Sequence, residues 1–152
     1  MRVLIVDDDS GLRQSLALLL QESGYEVVGE GDPEQALQRA GTEAFELILC
    51  DVRMPKMDGV SFLQRYRADG GSALLIMMSA YGTEDSALAA MREGAYDYLH
   101  KPFQPDEVLM TLRLRNSDVP QTSWSRELTR PTCPRALRQS LLLRRSLFHR
   151  QP

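Results

Sequence analysis

Four stretches of this chain lead into side chains able to do chemistry. The apolar run Val3 to Val6 stops at Asp7-Asp8-Asp9, and Leu47-Ile48-Leu49-Cys50 delivers Asp51. Leu74 to Met78 delivers Ser79, and Tyr96 to Leu99 is followed closely by Lys101. A lone aspartate at the end of a buried strand is ordinarily a turn or helix-cap residue. Carboxylates, a hydroxyl and an ammonium at the ends of four such runs ask for another reading. Crowded carboxylates repel one another, which raises their proton affinity unless a cation is present. An all-oxygen donor set suits Mg²⁺ or a similar hard ion, held by one or two carboxylates together with waters and a phosphoryl oxygen. No His or Cys cluster suggests zinc instead. Lys101 supplies a point charge for an acidic or phosphoryl group, and Ser79 a hydroxyl donor. A carboxylate nucleophile, a divalent ion, a lysine and a hydroxyl are the parts needed for phosphoryl transfer onto an aspartate.

The elements that position these groups follow from periodicity. Residues 2–6 read as a buried strand, and Ser10 fits the N-cap of a helix with Leu12, Leu16, Leu19 and Leu20 on one face, ended by Gly24. Tyr25 to Val28 is a second strand. Asp32-Pro33 starts a helix with Ala36, Leu37 and Ala40 inward, closed by Gly41. A central strand at about 46–50 precedes a loop from Arg53 to Asp58 and a helix through Val60, Leu63 and Tyr66. Ala73 to Met78 is strand four. Thr83 caps a helix carrying Ala87, Leu88 and Met91, Tyr96 to Leu99 is strand five, and Pro105-Asp106 opens a helix with Val108, Leu109 and Leu112 inward. Strand alternating with helix five times predicts a parallel α/β sheet with helices on both faces and right-handed crossovers. In such folds ligands sit at the carboxyl ends of the strands, where strand order reverses. Asp7, Asp8, Asp51, Ser79 and Lys101 all fall at that edge.

Composition narrows the class. The chain has 152 residues, 43% of them hydrophobic, which is ample for one domain with a sizeable core. It has no apolar run of bilayer length and no signal-like start, so a soluble, cytoplasmic protein without membrane partners is expected. Cys50 and Cys133 are too few for a disulfide framework, and Cys50 reads as a reduced core thiol. The net charge of −3 conceals an asymmetry. Residues 1–116 hold 11 lysines and arginines against 19 acids, whereas residues 117–152 hold 7 against 2. A boundary near Asn116-Ser117 separates an acidic domain, 1–116, from a basic Ser/Thr/Pro/Arg-rich tail, 117–152. That tail reads as a linker followed by disorder or by one possible helix over Arg135 to Arg150.

The motifs together resemble the receiver domain of two-component response regulators, particularly that of NtrC-like, sigma-54-dependent activators. The resemblance rests on Val6-Asp7-Asp8-Asp9, the run from Asp51-Val52-Arg53-Met54-Pro55 to Asp58-Gly59, Met78-Ser79-Ala80-Tyr81-Gly82, and Gly94-Ala95-Tyr96-Asp97-Tyr98-Leu99-His100-Lys101-Pro102-Phe103. It implies a doubly wound (βα)5 flavodoxin-like sandwich with parallel strand order 2-1-3-4-5. It also implies that Asp51 is the phosphoacceptor, taking its phosphoryl group from a sensor histidine kinase. Asp8 and Asp51 would ligate Mg²⁺ with the backbone carbonyl of Arg53, and Asp7 would act mainly through water. Lys101 would bridge to the phosphoryl group, Ser79 would move to hydrogen-bond it, and Tyr98 would turn inward behind it. The face of the fourth helix, fifth strand and fifth helix would then change partners and could support a homodimer. On this reading the chain is a switch, not a turnover enzyme, and Arg53 and Tyr81 tune the lifetime of the acyl phosphate. His100 is given no catalytic role, and Asp9 is a helix-start or solvated charge.

The chain departs from NtrC-like regulators after the receiver, since no Gly-Lys-Ser or Gly-Lys-Thr phosphate loop occurs and one basic helix cannot make a helix-turn-helix. DNA contact is therefore expected only indirectly or not at all. The alternative is a stand-alone phosphorelay receiver. A haloacid-dehalogenase-type phosphatase also uses an aspartate at a strand end, but it wants a second Asp two residues on, where this chain has Arg53.

Overall fold

The three central strands are each decided by an apolar stretch. The computed structural model describes residues 1–80 and 89–116. Its elements are β1 (Arg2–Val6), α1 (Ser10–Glu22), β2 (Glu26–Glu30), α2 (Pro33–Thr42), β3 (Leu47–Asp51), α3 (Gly59–Ala68) and β4 (Leu74–Ser79). Helical residues 89–92 follow, here α4, then β5 (Asp97–His100) and α5 (Pro105–Asn116). Val3, Leu4, Ile5 and Val6 of β1 and Leu47, Ile48, Leu49 and Cys50 of β3 are fully buried. Burial on both faces is what a continuous apolar run selects in a parallel sheet. β2 is only half-buried, with Glu26 exposed, as befits an edge.

All five strands are parallel, in the order β2-β1-β3-β4-β5. The doubly wound fold and the strand order implied by the family resemblance are therefore present. From β1 the chain steps outward to β2, then crosses back over β1 to β3 and onward. Right-handed crossovers then put α1 on one face of the sheet and α2 with α3 on the other. Arg65 of α3 reaches Glu34 of α2 at 2.7 Å, in keeping with that placement. The reversal of strand order lies between β1 and β3, so their carboxyl ends frame the crevice.

Three aspartates start three helices. Asp9, Asp32 and Asp58 hold extended backbone and accept hydrogen bonds from Leu12 N at 3.1 Å, Glu34 N at 2.9 Å and Ser61 N at 2.7 Å. The expected cap at Ser10 is corrected by one residue: Asp9 caps and Ser10 is the first helical residue, because the Asp9 carboxylate reaches the N–H three residues on. α2 begins with Pro33 after its Asp32 cap, as expected, but continues past Gly41 to Thr42. β2 lies one to two residues later than expected, since its five residues pair one for one with β1, Arg2 with Glu26 through Val6 with Glu30. β5 likewise runs from Asp97 to His100, paired with Ile76 to Ser79.

Residues Met1–Lys101 form one compact unit holding all five strands, and the described residues from Pro102 to Asn116 belong to a second. In the second, α5 opens at Pro105, Val108 and Leu112 are buried, and Leu109 is half-buried. The expected cap at Thr83, Tyr81 and the tail 117–152 lie outside the described residues. Among the described residues no helix is long and apolar enough to cross a membrane.

Candidate functional site

The pairing of Val6 with Cys50 sets the residues that follow, Asp7 and Asp51, side by side at the carboxyl edge of the sheet. Asp7 is fully buried and held at both ends of its side chain. Its Oδ1 accepts from Asp9 N at 2.9 Å, and its Oδ2 accepts from Lys101 Nζ at 2.7 Å. Its backbone is held too: Asp7 N donates to Glu30 O at 3.2 Å, and Asp7 O accepts from Arg13 NH1 at 2.7 Å. Asp8 is exposed. Asp7, Asp8 and Asp51 each offer a carboxylate oxygen, and these oxygens lie within 4.8 Å of one another.

Lys101 arrives from β5. Its N–H donates to Ser79 O at 2.8 Å, which continues the β4–β5 pairing one residue past His100. Its ammonium sits 2.7 Å from Asp7 and 3.4 Å from Asp51. Ser79 itself is buried at the end of β4. The structure thus brings Asp7, Asp8, Asp51, Ser79 and Lys101 to one edge.

The loop after β3 is folded tightly back on the strand. Val52 N donates to Met78 O and Gly59 N to Val52 O, each at 2.8 Å. A methyl group on Gly59 would overlap the Asp51 carbonyl oxygen and meet Met77 Cε at 2.9 Å, so only glycine lets α3 start this close to the strand. The backbone N–H of Arg53 hydrogen-bonds the Asp51 carboxylate, while the Arg53 side chain is exposed. Lys56 takes a left-handed φ of 71° and places its ammonium 2.6 Å from Asp32. That contact holds the Lys56 ammonium on and Asp32 ionised, raising one pKa and lowering the other.

The electrostatics are those of an acidic pocket with too little positive charge. Burial pushes the Asp51 carboxyl above its ordinary range, the Asp7 charge adds to this, and Lys101 offsets part of it. Burial pulls the Lys101 ammonium down, but the hydrogen bond and charge of Asp7, with Asp51 beside it, outweigh this and leave its pKa raised. One lysine against three carboxylates is a donor set that fits a hard divalent cation. Cys50 contributes nothing to it: the thiol is fully buried, and desolvation with the Asp51 and Asp7 charges pushes its pKa far up. Its sulfur faces the Asp51 carbonyl at 3.4 Å.

Tyr98 is buried, its hydroxyl without a hydrogen-bond partner among the described residues, and its ring meets His100 edge-on at 5.1 Å. His100 is half-buried and stands outside the acidic cluster. Sequence reasoning missed Arg13. The available signal was a charged residue at helical spacing from Leu16 and Leu20, on the face of α1 that otherwise packs inward.

The chain is similar to known proteins. The profile of the response regulator receiver domain matches residues 3–113. The transcriptional regulatory protein ZraR of Klebsiella oxytoca is 37% identical over 127 residues, which cover 79% of this chain and 29% of ZraR. The chemotaxis protein CheY of Bacillus subtilis is 37% identical over 109 residues, covering 71% of this chain and 91% of CheY. Among solved structures, the beryllofluoride-activated NtrC4 receiver domain dimer aligns with a TM-score of 0.71 at 33% identity, over 74% of this chain and 93% of that one. The chain spans less than a third of the first curated relatives it matches, with 29% of ZraR and 23% of the response regulator FleR of Pseudomonas aeruginosa.

Proposed function

This chain belongs to the response regulator receiver domain family, and from that premise we propose that Asp51 is its phosphoacceptor. The observation that carries the proposal is the buried Asp51 carboxylate, grouped with Asp7 and Asp8 and 3.4 Å from Lys101. A carboxylate oxygen of Asp51 attacks the phosphorus of a phosphohistidine on a sensor kinase. The P–N bond breaks with its electron pair leaving on the imidazole, and an acyl phosphate forms. Water later attacks that phosphorus, releasing inorganic phosphate and regenerating the carboxylate. The domain therefore modifies itself and turns over no separate substrate.

Asp8, Asp51 and the Arg53 carbonyl, with Asp7 behind, would hold Mg²⁺, which would supply charge neutralisation for the transferring phosphoryl oxygens. Lys101, already committed to Asp7 and Asp51, is positioned to take a phosphoryl oxygen in place of the Asp51 contact. Ser79 donates its hydroxyl to the new group, and Tyr98, whose hydroxyl has no hydrogen-bond partner among the described residues, responds behind it. Phosphorylation adds about −1.5 to −2 charges, biasing a domain poised between two states. Residues 1–116 make up this cytoplasmic receiver and 117–152 an appended tail.

The response is read as phosphorylation-dependent dimerisation serving transcriptional regulation, supported by the likeness to ZraR and to the activated NtrC4 receiver dimer. A stand-alone relay receiver is the second reading, supported by the likeness to the chemotaxis protein CheY of Bacillus subtilis. Light scattering with beryllofluoride and Mg²⁺ separates them: a dimer favours the first, a monomer the second. For the phosphoacceptor, acetyl phosphate with Mg²⁺ is expected to add one phosphoryl group by mass, with none on Asp51→Asn. Equal labelling of both proteins, or labelling indifferent to Mg²⁺, refutes the assignment.

A further inference from the structure

We propose that Arg13 is a positioning residue for the metal site, setting the Asp7–Asp8 peptide so that the Asp8 carboxylate meets the cation. The inference deepens the reading above and rests on Asp7, Asp8 and Asp51 holding Mg²⁺. Asp7 is fixed by its side chain to Asp9 N and Lys101, and its N–H is taken by Glu30 O. Asp8, by contrast, is exposed. The peptide plane between the two residues is set by Arg13, whose NH1 donates to Asp7 O at 2.7 Å. Rotation of that plane would change where Asp8 leaves the backbone, and with it the distance from its carboxylate to Asp51.

The route of the guanidinium is built into β2. The Arg13 side chain crosses Gly29 and Gly31, which flank Glu30, the residue that accepts the Asp7 N–H. A methyl group on Gly31 would lie 2.9 Å from Arg13 NH1 and 3.3 Å from Cζ; on Gly29 it would meet the Arg13 stem at 3.6 Å. Gly31 thus leaves the space in which the guanidinium reaches the carbonyl. Because NH1 is the end of a long side chain, a methyl there displaces the guanidinium instead of the strand.

Charge and position predict opposite signs, which makes the inference testable. Arg13 is a cation near an acidic site, so Coulomb's law alone predicts that Arg13→Met tightens Mg²⁺ binding. Positioning predicts that it weakens binding, by about tenfold, as loss of a group that orients a metal ligand typically does. The experiment is a calorimetric titration of the full chain with MgCl₂, on wild type, Arg13→Met, Gly31→Ala and the double variant, with thermal unfolding of each without metal. Weaker binding in Arg13→Met and in Gly31→Ala, with Gly31→Ala adding nothing once Arg13 is gone, is the expected pattern. A purely structural role would lower the unfolding temperature and leave that coupling out. Unchanged or tighter binding in Arg13→Met overturns the proposal, as does an equal effect of Gly31→Ala in both backgrounds. If Arg13→Met does not fold, Gly31→Ala alone decides, since it changes no charge: weaker binding supports the proposal and unaltered binding refutes it. Wild type that takes up no Mg²⁺ refutes the metal reading itself, and this inference falls with it.

Discussion

Lys101 satisfies two carboxylates at once, 2.7 Å from Asp7 and 3.4 Å from Asp51. Asp7 is fully buried, so removing the ammonium strands a charge whose one remaining side-chain hydrogen bond among the described residues comes from Asp9 N. Lys101→Met is expected to cost about 3–5 kcal/mol of stability, the usual penalty for breaking one side of a buried ion pair. Urea unfolding measures this, and Asp7→Asn in the same background should recover much of it. Asp51 behaves in the opposite way. Its pKa is raised chiefly by burial and then by Asp7, so the folded state pays a penalty when Asp51 is ionised. That penalty is full above the folded pKa and is relieved as the pH falls through it. Asp51→Asn should therefore unfold at a higher temperature than wild type at neutral pH without metal, with the gain vanishing in acid. A shift of a few degrees is the scale, since ~1 kcal/mol corresponds to roughly 2–4 °C for a chain of this size; calorimetry across pH reads it. That Asp7, Asp8, Asp51, Ser79 and Lys101 share one edge of the sheet was legible in the sequence, because each lies at or just beyond the end of an apolar run. Arg13 was not, because what it bonds is a backbone carbonyl and what admits it is a glycine within another strand and one just past its end.

At the level of elements, the site depends on how closely α3 starts to β3. Gly59→Ala would drive a methyl into the Asp51 carbonyl and Met77, and should cost about 1–3 kcal/mol, as overpacking usually does. Because the carbonyl belongs to Asp51, Mg²⁺ affinity should fall along with the urea midpoint; a variant that loses stability and keeps full affinity would show the loop to be more compliant than drawn. Asp58→Ala at the neighbouring cap should cost only about 1 kcal/mol. The alternation of strand and helix was legible because strands buried on both faces are apolar throughout and each helix keeps one apolar stripe. Element ends were less so. Glu30 and His100 complete their strands through backbone pairing with β1 and β4, and nothing in a polar side chain announces that. The cap of α1 slipped from Ser10 to Asp9 for a similar reason: both are good caps, and only the backbone turn distinguishes them.

For the molecule as a whole, the acidic edge should couple metal to stability. A ligand present at about a hundredfold over its Kd adds about 2.7 kcal/mol, so saturating MgCl₂ is expected to raise the unfolding temperature of wild type and to raise that of Asp51→Asn less. Raising the pH should increase the Mg²⁺ effect as Asp51 ionises. Lys101 sets the alkaline limit: its raised pKa contributes stability below the unfolded value, and that contribution is lost as the pH rises through the folded one. Strand order was legible only through family resemblance, since alternation predicts a parallel sheet and not which strand lies beside which. The Lys101–Asp7 contact also sets an order in time. Its partners are 94 residues apart, and the lysine follows the last strand to join the sheet. During synthesis the three carboxylates emerge well before their counter-charge does.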